Sequence, residues 1–167
     1  MNDPLHLFEQ IARRAYGFTD RDSREPRSEH PFEVRNVHEK LPPVVRELFD
    51  NGHYSQATFE AFKFVDKLVQ HISRVSETGQ KLMFQVFCAE SPRLALTSNA
   101  TATEKDEQKG FGFLFAGGIL AIRNPRGHEI DIPDSPDIYL DHLAFASMLL
   151  RRLEQAGIKC CVSPQAL

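Results

Sequence analysis

Twelve consecutive residues, Phe111 to Ile122, carry no charged or hydrogen-bonding side chain, and the run ends on Arg123-Asn124-Pro125-Arg126-Gly127-His128. A helix needs about 20 apolar residues to cross a bilayer, so a run of this length is expected inside a protein core. It is apolar nearly all round, which predicts a central position rather than a surface one. Thr103 with Asp106 has the spacing of a capping box, predicting a helix that opens there and runs through Glu107 and Phe115 to about Arg123.

The remaining apolar patterns are also helical. Asp3-Pro4 starts a short helix to Tyr16 carrying Leu7, Phe8, Ile11 and Ala15. Residues 17–38 turn to charge, proline and serine without an apolar period and read as a linker. Pro42-Pro43 opens a helix through Val44, Val45, Leu48 and Phe49, closed by Asn51-Gly52. Ser55 is the expected N-cap of the strongest amphipathic segment, in which Ala61, Val65, Leu68 and Ile72 form a stripe widened by Phe62 and Val69. A helix after Gly79 carries Leu82, Met83, Val86 and Phe87 and should end near Ser91-Pro92. Ser135-Pro136-Asp137 opens the last one, with Tyr139, Leu143, Ala146, Leu150 and Leu153 on one face and Gly157 at its end.

No segment alternates with a two-residue period, so the chain reads as all-α: an up-and-down bundle of four longer helices with an extra N-terminal helix. Residues 1–38 are assigned to that helix and its charged linker, and 39–167 to the bundle. The helix ending at Arg123 is expected to pack against the one starting at Pro136.

Composition narrows the partners. Lys and Arg number 20 against 23 Asp and Glu, a formal charge of -3, so no global positive field draws the chain onto nucleic acid. Any such contact has to be local, from Lys105, Lys109, Arg123 and Arg126. The N-terminus lacks a basic and then apolar leader pattern, and Cys88, Cys160 and Cys161 lack metal-site spacing. A cytoplasmic protein with no membrane partner, no metal and no cofactor is the expectation.

Arginine can clamp a phosphate and histidine can move a proton, so Arg123 and His128 suffice for metal-free phosphodiester chemistry if they meet. Residues five apart on an unbroken helix point about 140° away from each other. Pro125 should push Asn124 out of helical geometry and Gly127 should permit a turn, folding His128 back past Arg123. Asn124 would then orient the imidazole or hold a phosphate oxygen. Arg126 is either a second phosphate contact or a solvated loop charge, and Arg123 with His128 can equally be read as cations capping a helix C-terminus. Residues 128–131, His-Glu-Ile-Asp, have no second ligand pair at metal spacing. Glu60, Lys63 and Asp66 lie in the second long helix, where one of them could reach the site or all could form a solvated face. Gly110, Gly112, Gly117 and Gly118 each cost about 1 kcal/mol of helix propensity, which close approach of another helix would offset, within the bundle or across a dimer seam.

An all-α bundle whose third long helix ends in Arg-polar-x-x-x-His resembles the HEPN superfamily. The stretches Phe59-Glu60-Ala61-Phe62-Lys63, Gly79-Gln80-Lys81-Leu82-Met83, Gln108-Lys109-Gly110 and Leu114-Phe115-Ala116-Gly117 leading into Arg123–His128 resemble, more closely, the Ymh-type family of bacterial conserved hypothetical proteins. The likeness spans roughly residues 52–157. It implies a metal-independent ribonuclease of toxin, phage-defence or abortive-infection type, working as a homodimer on RNA, with an antitoxin or other regulatory partner conceivable. Arg123 and His128 match the family pair and Asn124 the polar residue after the arginine; Arg126 and Lys109 would contact substrate. One histidine per chain leaves acid and base to be shared between two copies, which gives the dimer a mechanistic motive. The alternatives are a non-catalytic HEPN-like module binding nucleotide, RNA or protein, and a purely structural dimerisation domain.

Overall fold

The computed structural model describes Phe8, residues 29–128 and residues 135–160. The chain divides into two compact units, 1–30 and 31–167, and the expected helix at Pro4–Tyr16 lies outside the described residues apart from Phe8. Every regular element described in the second unit is helical: α1 (Pro31–Val34), α2 (Pro43–Asp50), α3 (Tyr54–Ser73), α4 (Gly79–Phe87), α5 (Ala102–Gly117), a π-helical segment (Gly118–Arg123), α6 (Asn124–His128) and α7 (Pro136–Gln155).

Helix α3 is the hub, packing against α2, α4, the π segment, α6 and α7. Its stripe of Ala61, Phe62, Val65, Leu68 and Val69 is wholly buried, as are Leu143, Ala146, Leu149, Leu150 and Leu153 on α7. Each large side chain so buried contributes about 1.5–3 kcal/mol, which explains why these two long amphipathic helices organise the core.

Helix α5 leans on α4. The rings of Phe87 and Phe115 stack at 4.5 Å between centroids, and a Cβ on Gly112 would lie 2.4 Å from Cys88 Sγ and 3.0 Å from Phe87 Cβ. Only glycine permits that approach. Buried Gln108 ties down the loop joining the two helices: its Oε1 accepts from Leu96 N–H at 2.6 Å, and its Nε2 donates to the carbonyls of Phe87 at 3.0 Å and Leu94 at 3.2 Å. Arg152 on α7 donates to the Leu96 carbonyl at 2.8 Å from the other side.

Several local expectations shift. The residue preceding α3 is His53, not Ser55, and the capping box is Thr101 with Glu104 rather than Thr103 with Asp106. Glu104 also accepts from Ser98 Oγ and Ala100 N–H, contacts available only two residues upstream of the expected start. Helix α4 stops at Phe87, ahead of Ser91-Pro92. Residues 31–38 are not linker. Phe32 is buried with its ring 5.1 Å from Phe49, and His38 donates its backbone N–H to Ser147 Oγ at 2.8 Å. Its Nδ1 accepts from Lys40 N–H at 3.1 Å, leaving Nε2 to donate to Glu154 at 3.0 Å. A single phenylalanine and a histidine give no periodic signal, so these tertiary anchors are invisible locally.

Candidate functional site

The motif lies on one continuous helical backbone. Gly118 starts the π segment, which packs on α3 and α7; a Cβ there would lie 2.8 Å from Phe62 Cε1 and 3.2 Å from Phe145 Cε1. Contact of this segment with α7 realises the expected packing of the Arg123 helix against the Pro136 helix. The Asn124 N–H bonds to the Ile119 carbonyl five residues back, and Asn124 keeps helical angles of φ -63° and ψ -45°. Pro125 therefore does not break the helix as expected. The wider turn ahead of it displaces the carbonyl that a proline ring would meet four residues back, and π turns of this kind recur at functional sites. The carbonyl of Ile122 accepts from the Arg126 side chain, at 2.9 Å from Nη1.

The predicted fold-back of His128 onto Arg123 is consequently overturned. With α6 helical, the two point about 140° apart, and His128 stands exposed at the helix end.

Arg123 is half-buried. Its guanidinium carbon sits 5.1 Å from the centroid of the Phe59 ring on α3, and its Nη1 donates to Asn124 Oδ1 at 3.1 Å. Its Nε is buried without a hydrogen-bond partner. Gly127 closes on the same ring, since a Cβ there would lie 3.0 Å from Phe59 Cε2. Lys63, held by Glu60 at 3.1 Å, places its ammonium 6.0 Å from that ring as well. Asp66, two turns further along α3, is buried and accepts from Gly79 N–H at 2.8 Å. Burial pushes its carboxyl above the usual range; the Gly79 bond and then the positive charge of Arg123 pull the other way. Arg126 rests on a different ring, 5.4 Å above Tyr139 of α7.

Arg123 and Asn124 are thus joined, with Asn124 bound to the arginine and not to the imidazole, while Arg126 has its own seat on α7. Lys109 is not brought there: fourteen residues of helix put it about 20 Å from Arg123, beside Phe113 at 5.8 Å. Phe59 and Tyr139, the aromatic seats of the two arginines, are the site residues that sequence reasoning missed as such. A lone aromatic inside an amphipathic stripe carries no local sign of what will stack on it.

Beyond the motif, the outer face of α5 and the π segment is apolar and open. Phe113 is 51% and Leu120 49% exposed, Leu114 is exposed between them, and a Cβ on Gly110 or Gly117 would meet nothing within 4 Å. Gly112 and Gly118 have their close neighbours inside the bundle; Gly110 and Gly117 do not. Exposed residues continue from this face through Leu120 and Ala121 to Gly127 and His128, so the open surface runs on into the motif.

A separate cleft of about 900 Å3 lies among α1, α2 and the end of α7, lined by Phe32, His38, Arg46, Arg151 and Glu154. Several of its charges are engaged: Arg46 pairs with Glu33 at 3.1 Å, Glu154 with Lys40, and Arg151 donates to the Asn36 carbonyl. Among the described residues Cys88 is a free thiol, and no helix is long and apolar enough to cross a membrane.

The sequence model of a family described as "Protein of unknown function (Hypoth_ymh)" matches residues 35–153. No curated protein and no solved structure matches the chain.

Proposed function

Since this chain belongs to the Hypoth_ymh family, to which no activity is assigned, we propose from its own residues that it is a HEPN-like, metal-independent endoribonuclease acting as a homodimer. The observation that carries this reading is the exposed apolar face of α5 and the π segment, which leads into Asn124 and His128. A face so open, with two glycines that nothing in the protomer approaches, suits a second copy packed about a two-fold axis. Such pairing sets two His128 side chains and two Arg123 side chains around one cleft. The divergence of Arg123 from His128 within a protomer then becomes a reason for the dimer: each imidazole serves the partner's arginine.

In that cleft a neutral imidazole takes the proton of an RNA 2′-hydroxyl, whose oxygen attacks the adjacent phosphorus. The second imidazole, protonated, gives its proton to the departing 5′-oxygen. Arg123 donates to the non-bridging oxygens as charge accumulates, and Asn124 holds that guanidinium. The products are a 2′,3′-cyclic phosphate and a 5′-hydroxyl. A toxin or phage-defence role in the cytoplasm, restrained by an antitoxin or regulatory partner, follows the resemblance to the superfamily.

Incubating purified protein with single-stranded RNA and excess chelator tests the reading. Fragments with those ends are expected from the wild type and none from His128→Ala; a fully active H128A protein overturns it. One observation favours a second reading, a non-catalytic RNA-binding module: within one protomer each arginine is seated on an aromatic ring of the bundle while the histidine stands exposed at the helix end. Binding without fragments would select it.

A further inference from the structure

We infer that Phe59 is a positioning residue of the site: its ring sets the plane of the Arg123 guanidinium and the seat of the helix that carries His128. The inference rests on the ribonuclease reading above. Among the described residues, the Arg123 side chain makes one hydrogen bond, to its neighbour Asn124, which rides on the same helix and cannot fix the guanidinium relative to the bundle. What comes from outside that helix is the Phe59 face at 5.1 Å and the charge of Asp66. Asp66 is tied to Gly79 N–H and does not pair with Arg123, so it supplies a field without a direction.

The ring is a better positioner. A guanidinium lying over an aromatic face keeps its rim of N–H donors in one plane, leaving that edge for a phosphate. Phe59 belongs to α3, whose buried stripe makes it the most firmly held element of the bundle. The same ring meets Gly127, where a Cβ would stand 3.0 Å from Cε2, so it also fixes how closely α6 approaches α3. One side chain thereby controls both ends of the Arg123-to-His128 segment.

Arginine acting on charge that grows in the transition state should lose rate when its plane is released, while ground-state binding changes little. The test compares Phe59→Leu with Phe59→Tyr in the full chain, using a fluorescent single-stranded RNA oligonucleotide and excess chelator. Phe59→Leu is expected to lower kcat about 10- to 100-fold with KM within about threefold, as for a reacting group misplaced by about 1 Å. Phe59→Tyr, which retains the ring, should stay near wild type. In 15N-labelled protein the Arg123 Nε–H resonance should show a ring-current shift that Phe59→Leu removes and Phe59→Tyr keeps. An active wild type with an equally active, folded F59L, a Tyr variant as impaired as the Leu one, or an unshifted Arg123 resonance each overturns the role of Phe59. A wild type that cleaves nothing overturns the ribonuclease reading instead, and the resonance then decides separately whether the ring holds the arginine.

Discussion

Arg123 donates to Asn124 Oδ1 at 3.1 Å, so the polar residue that follows the arginine serves the arginine itself. Replacing that oxygen by a carboxylate would convert a neutral hydrogen bond into an ion pair and neutralise the cation offered to a phosphate. Asn124→Asp is expected to weaken RNA binding about tenfold and to reduce the slope of log affinity against log salt by about 1. Fluorescence anisotropy over a salt series measures both; an unchanged slope would show that Arg123 does not contact phosphate.

Leu120 stands on the open face one turn before Asn124 and is 49% exposed. A charge there should be tolerated in a monomer and resisted in a seam. Leu120→Glu is expected to leave the circular dichroism spectrum unchanged, to shift sedimentation from dimer to monomer, and to abolish cleavage. A variant that still sediments as a dimer would place the seam on another surface.

Gly110 and Gly112 should respond to alanine with opposite signs. The first has open space above it, and its replacement gains about 1 kcal/mol of helix propensity. At the second, the new Cβ would lie 2.4 Å from Cys88 Sγ and 3.0 Å from Phe87 Cβ, an overpacking that costs about 1–3 kcal/mol. Urea denaturation midpoints should rise for Gly110→Ala and fall for Gly112→Ala.

Gln108 satisfies three backbone groups of the loop between α4 and α5. Gln108→Leu fills the same space and strands those groups, at about 1–3 kcal/mol for each one left buried. The expected result is a thermal midpoint lowered by about 10 °C or more, with early loss of amide protection at Leu96 in hydrogen exchange.

Two carboxylates should give opposite trends with pH. Hydrogen bonds from Lys40 and then His38 hold Glu154 below its ordinary value of 4.5, so its contribution is present above that pH and fades as pH falls through the lower folded value. Burial raises Asp66 above 3.8, so the folded state is favoured fully below that pH and less as pH climbs through the raised value. Glu154→Gln should therefore melt below wild type at pH 7 and converge with it in acid. Asp66→Asn, which keeps an oxygen for Gly79 N–H, should gain on wild type as pH rises. Melting curves from pH 3.5 to 7 check the pair.

Much of the bundle was legible from periodicity. The α3 stripe and the α7 face were read residue by residue, because amphipathic helices declare their buried side locally. Helix starts were less so. The box read at Thr103 and Asp106 lies two residues late, because Ser98 and Ala100 also bond to Glu104 once the helix opens after Thr101. The passage through Pro125 was illegible for a different reason: no residue type announces a π turn, and without one the proline rightly reads as a break. At the site, Arg123, Asn124 and His128 stood out by chemistry. Asp66 was one of three charged residues of α3 named as able to reach the site, whereas Phe59 and Tyr139 reach the motif through packing between elements far apart in the chain, and no local pattern encodes that.

The wide turn of residues 118–123 has one more consequence. Each π turn accommodates an additional residue within the same ladder, so everything after it is rotated by about 100° relative to an uninterrupted α-helix. The azimuth of the motif is thus governed by a residue count and not by any single contact. Removing one amino acid upstream of Pro125 would swing the imidazole to another side of the molecule while leaving every motif residue in place.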